Sequence, residues 1–600
     1  MDIYEMPWRP NYEGFAAAGW IGGAGLSLIA QQYAGLPPEP FWWSAGLSVG
    51  MATMHAPKAI NLWKKKRSLA GTPLTFTKAE QLIKRVKGHE DEEWIGEGFD
   101  WGRKHAQMAF EILKRDRGDL LPPRDHSVMG STWIHGLEQD RGDIFQKVEH
   151  LGLHRLILGT TGSGKTRCFD LLITQAVLRN QCVIILDPKG DHEMAANAKR
   201  ACELAGAPER FAYFHPAFPE KSIRINPLRN FNRTTELATR IASLIGAESG
   251  TDPFQAYGQM SLNNLASGIV MIDELPTLVS LRHYLEGGPA ALVIKAIRAY
   301  CEKVMKNWES DAREYTKNAR GSEQIAEGLL RYYREVVQEI KPSSEIEGLL
   351  GMFEHDRTHF SKMVASLLPI MNMLTSKPLG ALLSPDPMDI EDTRPIMDLS
   401  TIIKKGMVLY CGLDSLSDSM VGKALGTLLI SDLASIAGDR YNFGVGERPV
   451  SLFCDEVAEM LVDQLIMLLN KSRGAGFSLS VASQSLGDLE AKLGSEAKAR
   501  QVLGNINHLI ALRTIDNQSQ EYVIKNLPMT RLNYVMRTQG TNTEGGNPMA
   551  HTGNIGERLM EEEAEIFPSQ LLGELPNLEY IAKLGGGRLV KGKIPILQSV

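Results

Sequence analysis

A glycine-rich segment, residues 159–166 (GTTGSGKT), constrains the fold of this chain more than any other feature. Residues 153–158 (LHRLIL) before it predict a strand, and the residues from Thr166 onward predict a helix. Glycines at such a junction let the backbone N–H groups turn inward around phosphate oxygens. The segment therefore predicts a phosphate-binding loop in an α/β domain.

The residue types of this loop point to a nucleoside triphosphate and Mg²⁺. In the pattern GxxxxGK[ST], Lys165 provides a positive charge to the β- and γ-phosphates and the Thr166 hydroxyl ligates the metal. We therefore expect ATP and Mg²⁺ as ligands. The nucleotide-binding residues predicted here are Gly159, Thr160, Thr161, Gly162, Ser163, Gly164, Lys165 and Thr166.

A second strand with acidic residues at its end completes the predicted site. Residues 449–456 (PVSLFCDE) form an apolar run that ends in two carboxylates, as a buried parallel strand can. Asp455 is expected to hold Mg²⁺ through water. Glu456 is expected to polarise the water that attacks the γ-phosphate.

Polar residues follow two further predicted strands. Asp187 ends the apolar run 182–187, and Gln484 follows the strand 477–483. Because ligands bind at the carboxyl ends of parallel strands, both side chains are candidates to sense the γ-phosphate. The alternatives are that Asp187 only forms a turn at the strand end and that Gln484 only begins a helix.

Arg473 lies in the segment 471–476 (KSRGAG), before the strand that ends at Gln484. It is a candidate to reach across a subunit boundary and stabilise transition-state charge in a neighbour's site. An exposed arginine at a helix end, favoured by the helix dipole, is the alternative.

The first 67 residues predict a transmembrane hairpin with both ends in the cytoplasm. Residues 14–33 and 41–57 carry no charge, and the first stretch is long enough to cross a bilayer. Residues 64–67 (KKKR) close the second stretch, so the positive-inside rule places the bulk of the protein in the cytoplasm. A buried glycine- and alanine-rich hairpin in a soluble protein is the alternative.

The rest of the chain divides into four regions. Residues 68–150 are predicted to connect the hairpin to an ATPase domain, of which 151–232 and 386–600 are the two parts. Residues 233–385 show helical periodicity and predict an inserted all-α domain that meets a partner. Residues 540–556, polar and rich in glycine and asparagine, predict a mobile loop.

The overall charge excludes a protein that coats nucleic acid by bulk positive charge. The chain has 65 Lys and Arg against 71 Asp and Glu, a formal charge of −6. Any contact with nucleic acid must therefore be local. The six cysteines show no CxxC pair and indicate a reducing compartment.

Taken together, these motifs resemble the TraG/TraD type IV coupling proteins, and most closely the TraD coupling factors of integrative conjugative elements. The resemblance covers nearly the whole chain. It rests on the paired apolar stretches and on the phrases GTTGSGKTR, VIILDPKGD, INPLRNFNR, LFCDE and SRGAGFSLSVASQS. Some relatives carry a second arginine before the loop where Leu153 stands here, so that role is not carried over.

This resemblance implies a RecA-like P-loop ATPase domain with a mainly parallel sheet. It implies a homo-hexamer, anchored in the bacterial inner membrane, that docks relaxase-bound single-stranded DNA onto a type IV secretion channel and drives conjugative transfer. Arg473 matches the arginine proposed to act between subunits, and Gln484 matches a motif glutamine. The catalytic set is thus Glu456, Lys165, Arg473 and Gln484, with Thr166 and Asp455 at the metal.

Two other functions fit the same motifs. One is an FtsK- or HerA-like translocase of double-stranded DNA without a role in secretion. The other is a membrane receptor whose nucleotide site holds the assembly together without hydrolysis, although the intact set of Lys165, Thr166, Asp455 and Glu456 argues against it.

Overall fold

The computed structural model describes every residue of the chain except 1–7, 115–120, 122–128, 246–252, 356–364, 366, 445, 447, 544–550 and 599–600. The described part of the chain contains 17 strands. They are β1 Phe76–Lys78, β2 Glu92–Asp100, β3 Gly142–Lys147, β4 Arg155–Leu158, β5 Cys182–Asp187, β6 Phe211–Phe214, β7 Arg224–Ile225, β8 Ile396–Met397, β9 Val408–Gly412, β10 Val450–Cys454, β11 Phe477–Ser483, β12 His508–Ala511, β13 Met529–Thr543, β14 His551–Glu565, β15 Glu579–Lys583, β16 Leu589–Lys593 and β17 Ile596–Gln598.

The helices in the first half of the chain are α1 Tyr12–Tyr33, α2 Glu39–Ser68, α3 Ala79–Gly88, α4 Arg103–Leu113, α5 Lys165–Leu178, α6 His192–Leu204, α7 Thr234–Ala242, α8 Pro253–Met271, α9 Leu278–Gly287 and α10 Ala290–Val304. Those that follow are α11 Trp308–Thr316, α12 Ser322–Tyr332, α13 Gln338–Ile340, α14 Ser344–Glu354, α15 Leu368–Thr375, α16 Leu379–Leu383, α17 Leu399–Lys405, α18 Ser419–Phe443, α19 Asp463–Lys471, α20 Leu486–Leu493, α21 Glu496–Leu503, α22 Asn517–Lys525 and α23 Gln570–Gly573.

One mixed sheet of 11 strands organises the molecule, in the order β3-β2-β16-β15-β12-β4-β11-β10-β5-β9-β6. The strands from β12 to β6 run parallel, and β15, β16, β2 and β3 continue the sheet in antiparallel pairs. The parallel strands β4, β5, β9, β10 and β12 are buried along their whole length, which explains their nearly continuous apolar sequences. The predicted α/β class and mainly parallel sheet are confirmed.

Two regions differ from their expected roles. The region 68–150, predicted as a connection, contributes β2 and β3 to the main sheet. The predicted mobile loop 540–556 was wrong for its described residues, because 540–543 and 551–556 pair within the long antiparallel hairpin β13–β14. The remaining residues of that prediction, 544–550, lie outside the described part of the chain.

Helices α7 to α16 fill the predicted insert between the two parts of the sheet domain. A buried ion pair joins the two units. Arg240 Nη1 on α7 lies 3.0 Å from Asp432 Oδ1 on α18, and both side chains are almost completely buried. The ion pair between Arg240 and Asp432 therefore attaches the helical insert to the sheet domain.

The N-terminal helices α1 and α2 form a hairpin that exposes large apolar side chains. Trp42 and Trp43 are 62% and 80% exposed. In the described part of the chain, only α18 is both long and apolar enough to qualify as a membrane span, and 72% of its apolar window is buried, as in a core helix. The structure thus confirms a helical hairpin but leaves its two membrane spans as a proposal.

Candidate functional site

The phosphate-binding loop connects β4, which ends at Leu158, to α5, which begins at Lys165. Gly162 and Gly164 have φ angles of +75° and +114°, a region that favours glycine. A Cβ atom at Gly164 would also lie 2.6 Å from Leu578 Cδ2. The glycines of the motif are therefore required by the backbone conformation and, at Gly164, by close packing.

Lys165 lies at the base of the loop with its ammonium group directed into the site. Its Nζ donates a hydrogen bond to the Gly159 carbonyl over 2.6 Å and lies 3.7 Å from Glu456 Oε1. Burial lowers the pKa of this lysine, although the Glu456 and Asp455 carboxylates oppose the effect. The loop and the acidic strand therefore meet, as predicted.

Asp455 follows β10 and is buried beside the loop. Its Oδ1 atom is buried and accepts no hydrogen bond from a described residue. Burial raises the pKa of Asp455 to about 6, and the carboxylates of Glu456 and Asp187 act in the same direction. An unpaired buried carboxylate oxygen is costly unless a ligand satisfies it.

Glu456 occupies the centre of the site in a strained backbone conformation, with φ +41° and ψ +58°. Its Oε1 atom accepts hydrogen bonds from Lys189 Nζ over 2.9 Å and from Gln484 Nε2 over 2.8 Å. Burial alone raises the pKa of Glu456, but these two hydrogen bonds and Lys165 outweigh it, so the pKa lies below the ordinary value. The carboxylate is thus ionised and oriented.

Gln484 also contacts the phosphate-binding loop. Thr161 Oγ1 donates a hydrogen bond to Gln484 Oε1 over 3.3 Å, while the amide nitrogen of Gln484 holds Glu456. The glutamine therefore bridges the loop and the acidic strand. This position favours a role in sensing the γ-phosphate over a purely structural helix start.

Asp187 lies at the end of β5 but is turned away from the cavity. Its carboxylate is fully buried and accepts hydrogen bonds from the backbone N–H groups of Lys189 and Asp191 and from the Tyr410 hydroxyl. These contacts shape the turn after β5. The structure therefore places Asp187 as a support of the turn, and Asp187 is not among the residues that line the cavity.

Arg473 does not join the site of its own chain. It precedes β11, whereas Gln484 follows β11, so the two residues lie at opposite edges of the parallel sheet. Arg473 is exposed, and its Cγ lies close to Gly152, before β4. Any contribution of Arg473 to hydrolysis must therefore be made in another subunit.

Lys189 is a site residue that the sequence analysis missed as an individual candidate. It lies two residues after the end of β5, in the segment DPKGD. A lysine so close to a strand end was the sequence signal that could have indicated a phosphate-site residue. Burial lowers the pKa of Lys189, but its hydrogen bond to Glu456 outweighs this, so the pKa lies above the ordinary value.

The loop opens into a cavity of about 400 Å³, within the range of about 300–1,000 Å³ typical of small-molecule sites. Its lining includes four residues that no motif indicated: Leu74, Asn577, Leu578 and Ile596. These residues come from the segment after the N-terminal hairpin and from the C-terminal end of the chain. Segments that are far from the phosphate-binding loop in sequence therefore form part of the cavity lining.

The donor set fits Mg²⁺. Thr166 lines the cavity together with Asp455, whose Oδ1 atom has no partner among the described residues. No cluster of three or more His, Cys, Asp or Glu side chains suited to a metal occurs in the described part of the chain. A magnesium ion held by one hydroxyl, water and phosphate oxygens does not need such a cluster.

Two family models match the chain. Residues 449–591 match the model described as the TraM recognition site of TraD and TraG, and residues 144–244 match the central domain of the helicase HerA. The first match confirms the resemblance to the TraG/TraD type IV coupling proteins. The second confirms a P-loop ATPase domain around the phosphate-binding loop.

Several solved structures are similar to the chain, whereas no curated protein matches it. The conjugative coupling protein TrwBΔN70 has 15% identity and a TM-score of 0.48, with 75% of this chain and 86% of that chain covered. TrwB in complex with ADP and Mg²⁺ has 15% identity and a TM-score of 0.43, with 75% and 87% covered. VirB4 of Thermoanaerobacter pseudethanolicus has 14% identity and a TM-score of 0.40, with 74% and 89% covered.

Proposed function

We propose that this member of the TraG/TraD type IV coupling proteins hydrolyses ATP to pass relaxase-bound single-stranded DNA into a type IV secretion channel. The observation that carries the proposal is that Lys165 at the end of the phosphate-binding loop and Glu456 after β10 line one cavity, where Gln484 after β11 holds the Glu456 carboxylate. These groups form a complete site for phosphoryl transfer to water, and residues 449–591 link that site to the coupling proteins.

In the proposed reaction, Glu456 orients and deprotonates the attacking water. Its ionised carboxylate is held by Lys189 and Gln484, so it can accept a proton without first losing one. Gln484 links this base to Thr161 of the loop, so the γ-phosphate and the base can be aligned through one side chain.

Lys165 neutralises the charge that develops on the β- and γ-phosphate oxygens. Its ammonium group is ion-paired with Glu456 in the structure, and a bound triphosphate would take over this charge. Thr166 and Asp455 would hold Mg²⁺, Asp455 through water. The metal supplies further positive charge to the phosphates.

We propose that α1 and α2 anchor the protein in the bacterial inner membrane, with the bulk of the chain in the cytoplasm. The exposed Trp42 and Trp43 suit the headgroup region, and the basic residues 64–67 at the end of α2 suit the cytoplasmic face. Carbonate extraction tests this assignment, since a peripheral protein would be released and an anchored one would remain in the pellet.

The functional unit is proposed to be a homo-hexamer in which Arg473 acts on the nucleotide of a neighbouring subunit. Support comes from its exposure and from its distance along β11 from Gln484, which exclude a role in its own site. An arginine delivered in trans stabilises transition-state charge in many phosphate-transferring enzymes.

A mating assay tests the whole proposal. Deletion of the gene in a donor strain should abolish conjugative transfer, the wild-type gene should restore it, and Lys165→Ala should not. Lys199→Ala, an exposed lysine on the neighbouring helix α6, is the matched control and should restore transfer. Normal transfer with Lys165→Ala would contradict the proposal.

Translocation of double-stranded DNA is a second candidate, favoured by the HerA match over residues 144–244. The two functions differ in the DNA that stimulates hydrolysis. We expect single-stranded DNA to raise the ATPase rate of the purified protein more than double-stranded DNA of equal length. The reverse order would favour the translocase.

A further inference from the structure

The segment that leaves the N-terminal hairpin meets the C-terminal end of the chain at the phosphate-binding loop. β1 pairs in parallel with β17, and the backbone N–H of Ile596 donates to the Thr75 carbonyl over 2.9 Å. Leu74 and Ile596 both line the cavity that contains Lys165. Two distant parts of the chain thus build one side of the nucleotide cavity.

Further hydrogen bonds hold this side of the cavity in place. The buried Lys593 Nζ donates to the carbonyls of Thr72 and Pro73 over 2.7 and 3.0 Å. The backbone N–H of Leu578 donates to the Ser163 carbonyl over 2.9 Å, and its own carbonyl accepts from Ile594 over 2.8 Å. We call this side of the cavity, formed by Leu74, Leu578 and Ile596, the wall. The hydrogen bond from Leu578 to Ser163 fixes the wall directly to the phosphate-binding loop.

The chemistry of the wall differs from that of the rest of the cavity. Leu74, Leu578 and Ile596 present aliphatic side chains, whereas the rest of the lining includes Lys165, Asp455 and other polar groups. An apolar surface beside the phosphate-binding loop suits a flat heterocycle.

We propose that Leu74, Leu578 and Ile596 form the subsite for the purine base of the nucleotide. This inference rests on the proposed function, because the phosphates must occupy the loop for the base to reach the wall. The base is the part of a nucleoside triphosphate whose transfer from water onto an apolar surface is favourable. Leu74, in the segment between the N-terminal hairpin and β1, thereby contacts the nucleotide directly.

Comparison of ATP with inorganic tripolyphosphate tests this subsite, because the second ligand has phosphates but no base. Leu74→Ser in the full chain should weaken ATP binding by about five- to tenfold, as expected for loss of a partly buried aliphatic contact. It should leave tripolyphosphate binding unchanged. Isothermal titration calorimetry with Mg²⁺ measures both affinities.

The chain offers a matched control. Leu275 is 56% exposed, similar to Leu74 at 50%, and lies between α8 and α9 outside the cavity lining. Leu275→Ser should leave both affinities unchanged. Ile596→Ala is a second variant of the wall and should repeat the effect of Leu74→Ser.

The possible results separate the two proposals. An unchanged ATP affinity in both wall variants would overturn the base subsite alone, as would a parallel loss of ATP and tripolyphosphate affinity. If the wild-type protein bound neither ligand, the proposed nucleotide site and the subsite that rests on it would both be overturned.

Discussion

Lys189 Nζ lies 2.9 Å from Glu456 Oε1, the same oxygen that accepts a hydrogen bond from Gln484. The lysine comes from the turn after β5 and the glutamate from the turn after β10, and these two strands are neighbours in the sheet. Glu456 is thus held from both sides by residues at adjacent strand ends. This arrangement fixes the carboxylate and keeps it ionised in a cavity where burial would favour its protonation.

Replacement of Lys189 should shift the pH dependence of hydrolysis. Lys189→Met removes a cation that lowers the pKa of Glu456, so this pKa should rise. Because the base must be ionised, the rate falls as pH falls through that pKa, and the acid limb should move to higher pH. The pH profile of kcat/KM measures the shift. Lys189→Arg keeps the charge and should retain the wild-type profile, and an identical acid limb in Lys189→Met would contradict this role.

Lys165→Ala should abolish ATP binding and not only hydrolysis. The ammonium group is the cation placed at the base of the loop, and its loss leaves the triphosphate without this partner. Fluorescence titration with a labelled ATP analogue measures the affinity. Lys199→Ala should bind as the wild type does. Retention of normal affinity in Lys165→Ala would show that phosphate is held elsewhere.

Asp455→Asn should stabilise the nucleotide-free protein while impairing its use of Mg²⁺. The pKa of Asp455 is raised from 3.8 to about 6, so at pH 7.5 the folded protein carries a buried carboxylate that the unfolded chain exposes to water. Stability should therefore rise as the pH falls from above 6 towards 4, and this charge costs on the order of 2–3 kcal/mol at pH 7.5.

Thermal unfolding at pH 7.5 and pH 4.5 checks the effect of Asp455→Asn. The variant should melt at a higher temperature than the wild type at pH 7.5, and the difference should shrink at pH 4.5. The Mg²⁺ concentration that gives half-maximal hydrolysis should increase in the variant. A lower melting temperature at pH 7.5 would indicate that the Asp455 carboxylate makes a stabilising contact.

Arg473→Ala should retain ATP binding and lose most of its hydrolysis. Removal of a trans-acting arginine costs about 10³–10⁵-fold in phosphate-transferring enzymes. A mixing experiment distinguishes action in trans from action in cis. Arg473→Ala subunits mixed with Lys165→Ala subunits should recover part of the activity, because some interfaces then combine an intact loop with an intact arginine. Arg500→Ala, an exposed arginine on α21, is the control for loss of surface charge. Mixed assemblies as inactive as each variant alone would contradict action in trans.

Local sequence patterns were sufficient to predict that Lys165, Glu456 and Gln484 come together at one end of the sheet. Lys165 ends the loop that follows β4, whereas Glu456 and Gln484 follow β10 and β11, and the carboxyl ends of parallel strands meet at one edge of the sheet. The positions of these residues could therefore be inferred from local patterns alone. Asp187 also lies at the end of a parallel strand, but its side chain accepts hydrogen bonds from the backbone of its own turn. The position of a residue at a strand end does not predict whether its side chain enters the cavity or binds the turn.

The residues that escaped prediction depend on pairing between distant segments. Leu74 and Ile596 reach the cavity through the pairing of β1 with β17, for which neither short strand carries a local signal. The hairpin β13–β14 was mistaken for a loop because its glycine- and asparagine-rich residues favour turns in isolation, whereas cross-strand hydrogen bonds decide its structure. Such contacts form only when the chain folds, so local sequence patterns do not predict them.

The proposed mechanism requires that Glu456 activates the water that cleaves ATP bound at Lys165. The substitution Glu456→Gln tests it most directly, because the amide keeps the size of the side chain but cannot accept the proton. Glu459→Gln, three residues further on and half exposed in an ion pair with Lys492, is the matched control and should behave as the wild type does.

Single-turnover hydrolysis and equilibrium binding of ATP, measured on the same preparation of the Glu456→Gln protein, decide the question. We expect binding at least as tight as in the wild type, since a negative charge beside the phosphates is removed. We expect hydrolysis slower by about 10²–10⁴-fold, the usual contribution of a general base. Hydrolysis at the wild-type rate in this variant would contradict the proposed mechanism.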